Sequence, residues 1–272
     1  MMKLQHAANR LIVVALLTTG LGCAAKRDLP HSATAAADRF QLDHGGIVRG
    51  PIDRRELALI FTGGDHGEGS LLILDQLRQR HVQAAFFLTG SYLAKLENRE
   101  ALRRMVDEGH YLGPHSHHHL LYCPWEDRGT SLVTQAEFDA DLQRNIDDLR
   151  ALGALPSGRP IYFVPPYEWY NEQHVRWAAQ RGVVVVNFTR GTGSHRDWIP
   201  EGHAGFVDSP RIIQDILAEE ARAPHGLNGH LLLLHVGALR EDKVYARLGE
   251  LLDELTKRGY RMVRIDEMLG AS

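Results

Sequence analysis

Along this chain, short apolar runs alternate with longer stretches whose apolar residues recur every three or four positions. Successive βα units around a parallel sheet or barrel produce that alternation. The runs predict strands at 57–62, 83–89, 110–114, 160–164, 183–188, 230–235 and 260–264. Helical spacing fills the intervals, near 70–80, 92–108, 134–152, 172–181, 210–222 and 243–258. Start signals agree: Thr134 with Glu137 forms a capping-box pattern, Asn171 precedes "EQHVRWAAQ", and Ser209 stands before Pro210. Gly109, Gly153, Gly182 and Gly259 mark four helix ends. Seven strands, most followed by a helix, predict an α/β fold with a closed or nearly closed (β/α)7 barrel. An open doubly wound sheet is the alternative.

Composition changes this picture little. Of 272 residues, 44% are hydrophobic and 24% charged, which suits one sizeable core. A net charge of -3, from 31 basic and 34 acidic residues, gives no global attraction to nucleic acid or anionic lipid. Histidine, at 16, is the unusual component.

The first 25 residues read as an export signal: Lys3 and Arg10, a short apolar run from Leu11 to Leu17, then small residues. Cleavage after Ala25 and lipid attachment at Cys23 in "TTGLGC" both stand open, because Gly20 occupies the position where a lipoprotein signal places leucine. The chain is therefore expected to be exported, and to be periplasmic, lipid-anchored or extracellular in a bacterium. Residues 26–50 lack periodicity and read as a tether and lead-in, leaving 51–272 as the folded domain. Cys123 is the other cysteine, so no intrachain disulfide is expected in the processed protein. It reads as a buried small apolar residue.

In a βα barrel the chemistry gathers at the C-terminal ends of the strands. Asp65, His66 and Glu68 follow the first predicted strand, "HSHHH" (115–119) the third, "PPYEWY" (165–170) the fourth, "SHRDW" (194–198) the fifth, and His235 ends the sixth. His115 and His119 are four residues apart, so one helical turn would put both imidazoles on one side of a divalent ion. A carboxylate from a neighbouring strand end would complete the set, and Asp65 is the nearest. The glycine-rich "FTGGDHGEG" (61–69) raises a phosphate loop as another reading, but no Walker-type lysine follows it.

With these residues in order, the chain from about 56 to 268 resembles the polysaccharide deacetylases of carbohydrate esterase family 4. That family's His-Ser/Thr-x-x-His motif is met by His115, Ser116 and His119, and its Leu-x-His motif by Leu233 and His235. Its Arg-x-Pro-Tyr motif is half met, by Pro166 and Tyr167 with Val164 in the arginine's place. The aspartate–tryptophan motif is matched weakly, by Asp197 and Trp198. The two aspartates of Thr-Phe-Asp-Asp-Gly are absent: Ile60-Phe61-Thr62-Gly63-Gly64 carries Thr and Gly there.

The resemblance implies a distorted (β/α)7 barrel and a metal-dependent hydrolase that removes acetyl groups from an N-acetylglucosamine-containing glycan or an acetylated xylan. Its ion, zinc with cobalt or nickel as alternatives, would be held by Asp65, His115 and His119. Asp65, Glu68 or Glu168 would serve as base, the Tyr167 backbone N–H would face the oxyanion, and His235 would act as acid. Pro166, Trp169, Trp125 and Trp198 are candidates for binding the glycan. His117 and His118 carry no assigned chemistry. A glycan-binding protein of the same fold, its catalysis lost with the two aspartates and the arginine, is the rival reading.

Overall fold

The computed structural model describes residues 39–155 and 158–270. The expected export signal, Cys23 and the expected tether up to residue 38 lie outside the described residues. A hairpin opens the fold: β1 (Gln41–Asp43) and β2 (Gly46–Arg49) pair antiparallel across His44-Gly45, both with positive φ. That is the two-residue turn whose twist suits a hairpin.

The parallel strands follow as β3 (Glu56–Gly63), β4 (Ala85–Leu88), β5 (Tyr111–Pro114), β6 (Ile161–Phe163), β7 (Val183–Val185), β8 (Leu231–His235) and β9 (Arg261–Met262). Four of them lie side by side in the order β5-β4-β3-β8, β9 pairs with the start of β3, and β6 pairs with β7. Single contacts join these pieces: Val164 N–H donates to Pro114 O between β5 and β6, while Ile47 bridges to Val186 and Arg49 to His230. The ring is thus a distorted α/β barrel in which β2 fills the space between β7 and β8, without a continuous ladder there. Residues 41–49, assigned to the lead-in by their lack of periodicity, belong to the folded body. Their signal is the Asp43-His44-Gly45-Gly46 turn rather than an apolar period.

The helices are α1 (Ser70–Gln79), α2 (Gly90–Ala94), α3 (Arg99–Asp107), α4 (Gln135–Ala151), α5 (Glu172–Gln180), α6 (Ser209–Arg222), α7 (Leu248–Lys257) and α8 (Ile265–Gly270). The stretch predicted as one helix at 92–108 is two helices, split by a 3-10 turn at Leu96–Asn98. Thr134 and Glu137 form the expected capping box on α4, and Asn171 caps α5. On α6 the cap is Asp208, whose carboxylate accepts from Arg211 N–H; Ser209 is already helical, which places Pro210 in the first turn.

Both faces of β3 are buried, as a barrel strand requires. Leu57, Leu59 and Phe61 pack with Leu74, Leu77 and Leu251 from the helices, whereas Ala58 and Ile60 face Phe87, Leu231 and Leu233 inside the barrel. A third cluster, Phe138, Phe163, Trp177 and Cys123 among its members, seats α4 and α5 on β6 and β7. Cys123 is buried there, as its isolated position predicts.

Candidate active site

A cavity of about 1160 Å³ opens at the C-terminal ends of the strands, lined by residues that follow β3, β4, β5, β6, β7 and β8. His115, His119, Asp65, Tyr167, Glu168 and His235 all reach it. The residues expected from sequence to carry chemistry are thus brought to one rim.

The histidine loop after β5 is built around one buried carboxylate. Asp141, on α4, accepts from the Ser116 hydroxyl (2.5 Å), from the His117 and His118 amides (3.0 and 2.9 Å), and bonds the His118 ring (2.6 Å). Residues 115–119 are irregular, with positive φ at Ser116 and His119, rather than the predicted helical turn. The loop still brings the His115 and His119 rings to 5.0 Å between centroids. His115 Nδ1 lies 2.7 Å from Val164 O, which can only accept, so Nδ1 carries the proton and the Nε2 lone pair is free. Burial holds His115 well below the ordinary histidine range and brings His119 down to about 4, so both are neutral donors at pH 7.

The segment after β6 makes a tight 3-10 turn at Pro166–Glu168, with Tyr167 and Glu168 both left-handed at φ 58° and 54°. Two successive non-glycine residues there cost ~1–2 kcal/mol each. The turn points the Tyr167 ring at His119, 4.3 Å between centroids, and leaves the Tyr167 N–H without a hydrogen-bond partner among the described residues. Glu168 Oε1 comes within 3.9 Å of His115 Nε2. Burial pushes the Glu168 carboxyl up to about 7, with His235 pulling it down and Asp197 adding to the rise. Pro166 is buried and stands outside the cavity lining, so it shapes the turn and does not touch a ligand.

At the end of β8, His235 Nδ1 is 2.6 Å from Asp197 Oδ1, and its backbone N–H donates to Asp197 Oδ2 at 2.8 Å. Burial opposes charge on this imidazole, but Asp197 and then Glu168 outweigh it and raise its pKa. The weak aspartate–tryptophan match thus marks a strong structural partner: the sequence pattern was poor, yet Asp197 is buried and clamps the histidine.

The first strand's end differs. Thr62 lines the cavity with its Oγ1 buried and unpartnered. A Cβ at Gly63 would meet Leu88, Val236 and Tyr92 at 2.9–3.0 Å, so the backbone as folded has no room for a carboxylate at that position. Two other glycines of the loop serve close packing too: a Cβ at Gly67 would strike Asn98 and Tyr92, and one at Gly69 Tyr245, whereas one at Gly64 would make only ordinary contact with Thr89 at 3.8 Å. None has positive φ, and no phosphate cradle is formed. Asp65 is exposed at the rim, and its carbonyl accepts from Lys95. Glu68 turns away from the cavity, accepting from Lys243 Nζ at 2.7 Å and from Ala238 N–H at 3.0 Å. Burial would raise its pKa, but these bonds lower it, and they hold Glu68 against Lys243 outside the cavity lining.

The imidazoles of His115 and His119 and the carboxylate of Asp65 are donor types that zinc accepts, and the two imidazoles are neutral as ligation requires. Their chemistry fits a divalent ion, although no three His, Cys, Asp or Glu side chains are spaced to hold one among the described residues. Trp125 and Trp198, 55% and 52% exposed, stand at the cavity mouth with Tyr167. Trp169 is half-buried, donating to Pro124 O and carrying the Arg128 guanidinium at 4.5 Å. His117, unassigned from sequence, bonds Asp148 at 2.9 Å and also lines the cavity.

A family model described as polysaccharide deacetylase matches residues 49–186, just over half of the chain. A peptidoglycan-N-acetylglucosamine deacetylase of Bacillus cereus is 26% identical over 233 residues, covering 85% of this chain and 97% of the relative. A chitooligosaccharide deacetylase of a Bradyrhizobium species is 28% identical over 222 residues, 76% of this chain and 88% of its own. Among solved structures, a pseudoenzyme of carbohydrate esterase family 4 from Bacillus anthracis superposes with a TM-score of 0.65 at 22% identity, over 84% of this chain and 70% of that one. That likeness is one of fold.

Proposed function

This chain belongs to the polysaccharide deacetylase family, and we propose that it is a hydrolase that removes acetyl groups from an N-acetylglucosamine-containing glycan. One observation carries the reading: a buried carboxyl at about 7, Glu168, and a carboxylate-clamped imidazole, His235, meet in one cleft. A base that is ionised and an acid that is protonated near neutral pH are what hydrolysis of an amide needs. Relatives named as peptidoglycan and chitooligosaccharide deacetylases support the glycan class.

In this reading Glu168 accepts the proton of the attacking water, taking over from the carboxylate missing at Thr62. The unpartnered Tyr167 N–H donates to the oxygen of the acetyl group as charge develops on it. His235, its Nδ1–H donated to Asp197, delivers the Nε2 proton to the leaving amine. Trp125 and Trp198 offer ring faces to the sugars on either side. A divalent ion, zinc with cobalt or nickel as alternatives, would be held by His115, His119 and Asp65 and would supply Lewis-acid polarisation of the acetyl carbonyl. Export by the N-terminal signal, with or without a lipid at Cys23, would bring the protein to such a substrate. Among the described residues no helix is long and apolar enough to cross a membrane.

The second reading, a glycan-binding protein, draws on the empty first-strand position at Gly63 and on the shared fold with a pseudoenzyme. Acetate release from N-acetylchitooligosaccharides, peptidoglycan fragments and acetylated xylan, with zinc and with chelator, decides between them. Release from the first two supports the deacetylase; release from xylan alone makes it an O-acetyl esterase; tight glycan binding without release makes it a binding protein.

A further inference from the structure

Arg190 follows β7 and lines the cleft, on the β7–β8 side with Trp198, Pro200 and Leu239. It is exposed, and it makes no hydrogen bond or ion pair to any described residue. The carboxylates on that side are already engaged. Asp197 clamps His235, Asp215 pairs with Arg196 and Arg211, and Glu219 pairs with Arg222. His195, the imidazole beside it, is stacked on Phe188 and is driven down to about 4 by burial, so it adds no second cation at neutral pH. A guanidinium can donate to the hydroxyls of a neutral sugar, but its planar fork makes a stronger, charge-assisted pair with a carboxylate, so a sugar bearing one uses both the guanidinium and the exposed indole beside it.

Building on the deacetylase reading, we propose that this side of the cleft is a subsite for a carboxylate-bearing sugar next to the N-acetylglucosamine being processed, with Trp198 under the ring and Arg190 on the acid. The acid could be an ether-linked lactyl group or a uronic acid, and both present the same planar anion to the guanidinium.

The test measures binding and turnover together. Tetrasaccharides of equal length are compared: a neutral chitotetraose, one alternating N-acetylglucosamine with N-acetylmuramic acid, and one alternating it with glucuronic acid. Binding of each to the wild type, Arg190→Gln and Arg190→Lys is followed by calorimetry, and acetate release is followed in parallel. Roughly tenfold tighter binding of an acidic tetramer is expected, lost in Arg190→Gln, partly kept in Arg190→Lys and weakened by salt, with chitotetraose unaffected by either substitution. Whichever acidic tetramer shows the Arg190 dependence identifies the source of the carboxylate. Equal affinity for neutral and acidic tetramers, or a preference that survives Arg190→Gln, overturns the subsite. Arg190-dependent binding without acetate release from any tetramer leaves the subsite standing and sinks the deacetylase reading instead.

Discussion

The two sides of this cleft are built differently. After β5, β6 and β8, the motif residues His115, His119, Tyr167 and His235 are present, and the histidines are braced by neighbours: Asp141 under the histidine loop, Val164 O on His115, Asp197 on His235. At the end of β3 the two expected carboxylates are gone, and the space next to Gly63 is packed with Leu88, Val236 and Tyr92. The neighbouring motif has lost its arginine, at Val164, in the same chain. A carboxylate and the arginine that orients it are costly to separate, because a lone buried charge is penalised. In the proposed reading, Glu168 on the β6 turn supplies the carboxylate that neither of these positions carries.

The largest expected effect bears on that carboxylate. Glu168→Gln should lower kcat by about 10²–10⁴-fold with little change in KM, whereas Glu68→Ala should leave activity near wild type because it is tied to Lys243 outside the cavity. Comparable losses in both variants would erase the contrast between the two loops.

Next in size, Asp197→Asn should lower kcat by about 10–10³-fold and shift the pH profile. Activity in the wild type should rise as Glu168 ionises near 7 and fall as His235 loses its proton above its ordinary value. Removing the carboxylate removes the main influence that raises the His235 pKa, so the falling limb should move to lower pH. An unmoved limb would show that another group sets it.

A smaller effect should appear in stability. The folded Glu168 carboxyl binds its proton more tightly than an ordinary glutamate, whose pKa is 4.5, so its contribution to folding is complete below about 4.5 and is lost as pH rises through about 7. Glu168→Gln has no proton to lose and should be more stable than wild type by ~1–3 kcal/mol at pH 8 and near equal at pH 4, readable by thermal melts. Gly63→Asp should restore no activity and cost about 1–3 kcal/mol, since its Cβ meets three core side chains. A gain in acetate release by that variant would mean the first strand still holds a usable position.

Most of the barrel could be read from the chain because β3, β4 and β8 are unbroken apolar runs, and unbroken runs are what strands buried on both faces look like. The hairpin at 41–49 escaped because it is short and half exposed, and a four-residue turn is its only local mark. In the site, motif spacing located His115, His119, Tyr167 and His235. The positions of Glu68 and Pro166 were not readable: Lys243 draws Glu68 away from the cavity and Pro166 is buried in its turn, while Trp169 lines the cavity but is held half-buried by Pro124 and Arg128. Asp141, the centre of the histidine loop, lies on a helix 22 residues after His119 and has no motif of its own.

The claim that the base now sits on the β6 turn is tested most directly by single-turnover acetate release from an N-acetylglucosamine tetramer, measured for wild type and Glu168→Gln at matched metal content across pH 5–9. Release by the wild type that rises with an apparent pKa near 7, and is at least about a hundredfold slower and without that rise in Glu168→Gln, is the predicted result. Equal rates and the same profile in both proteins would contradict it.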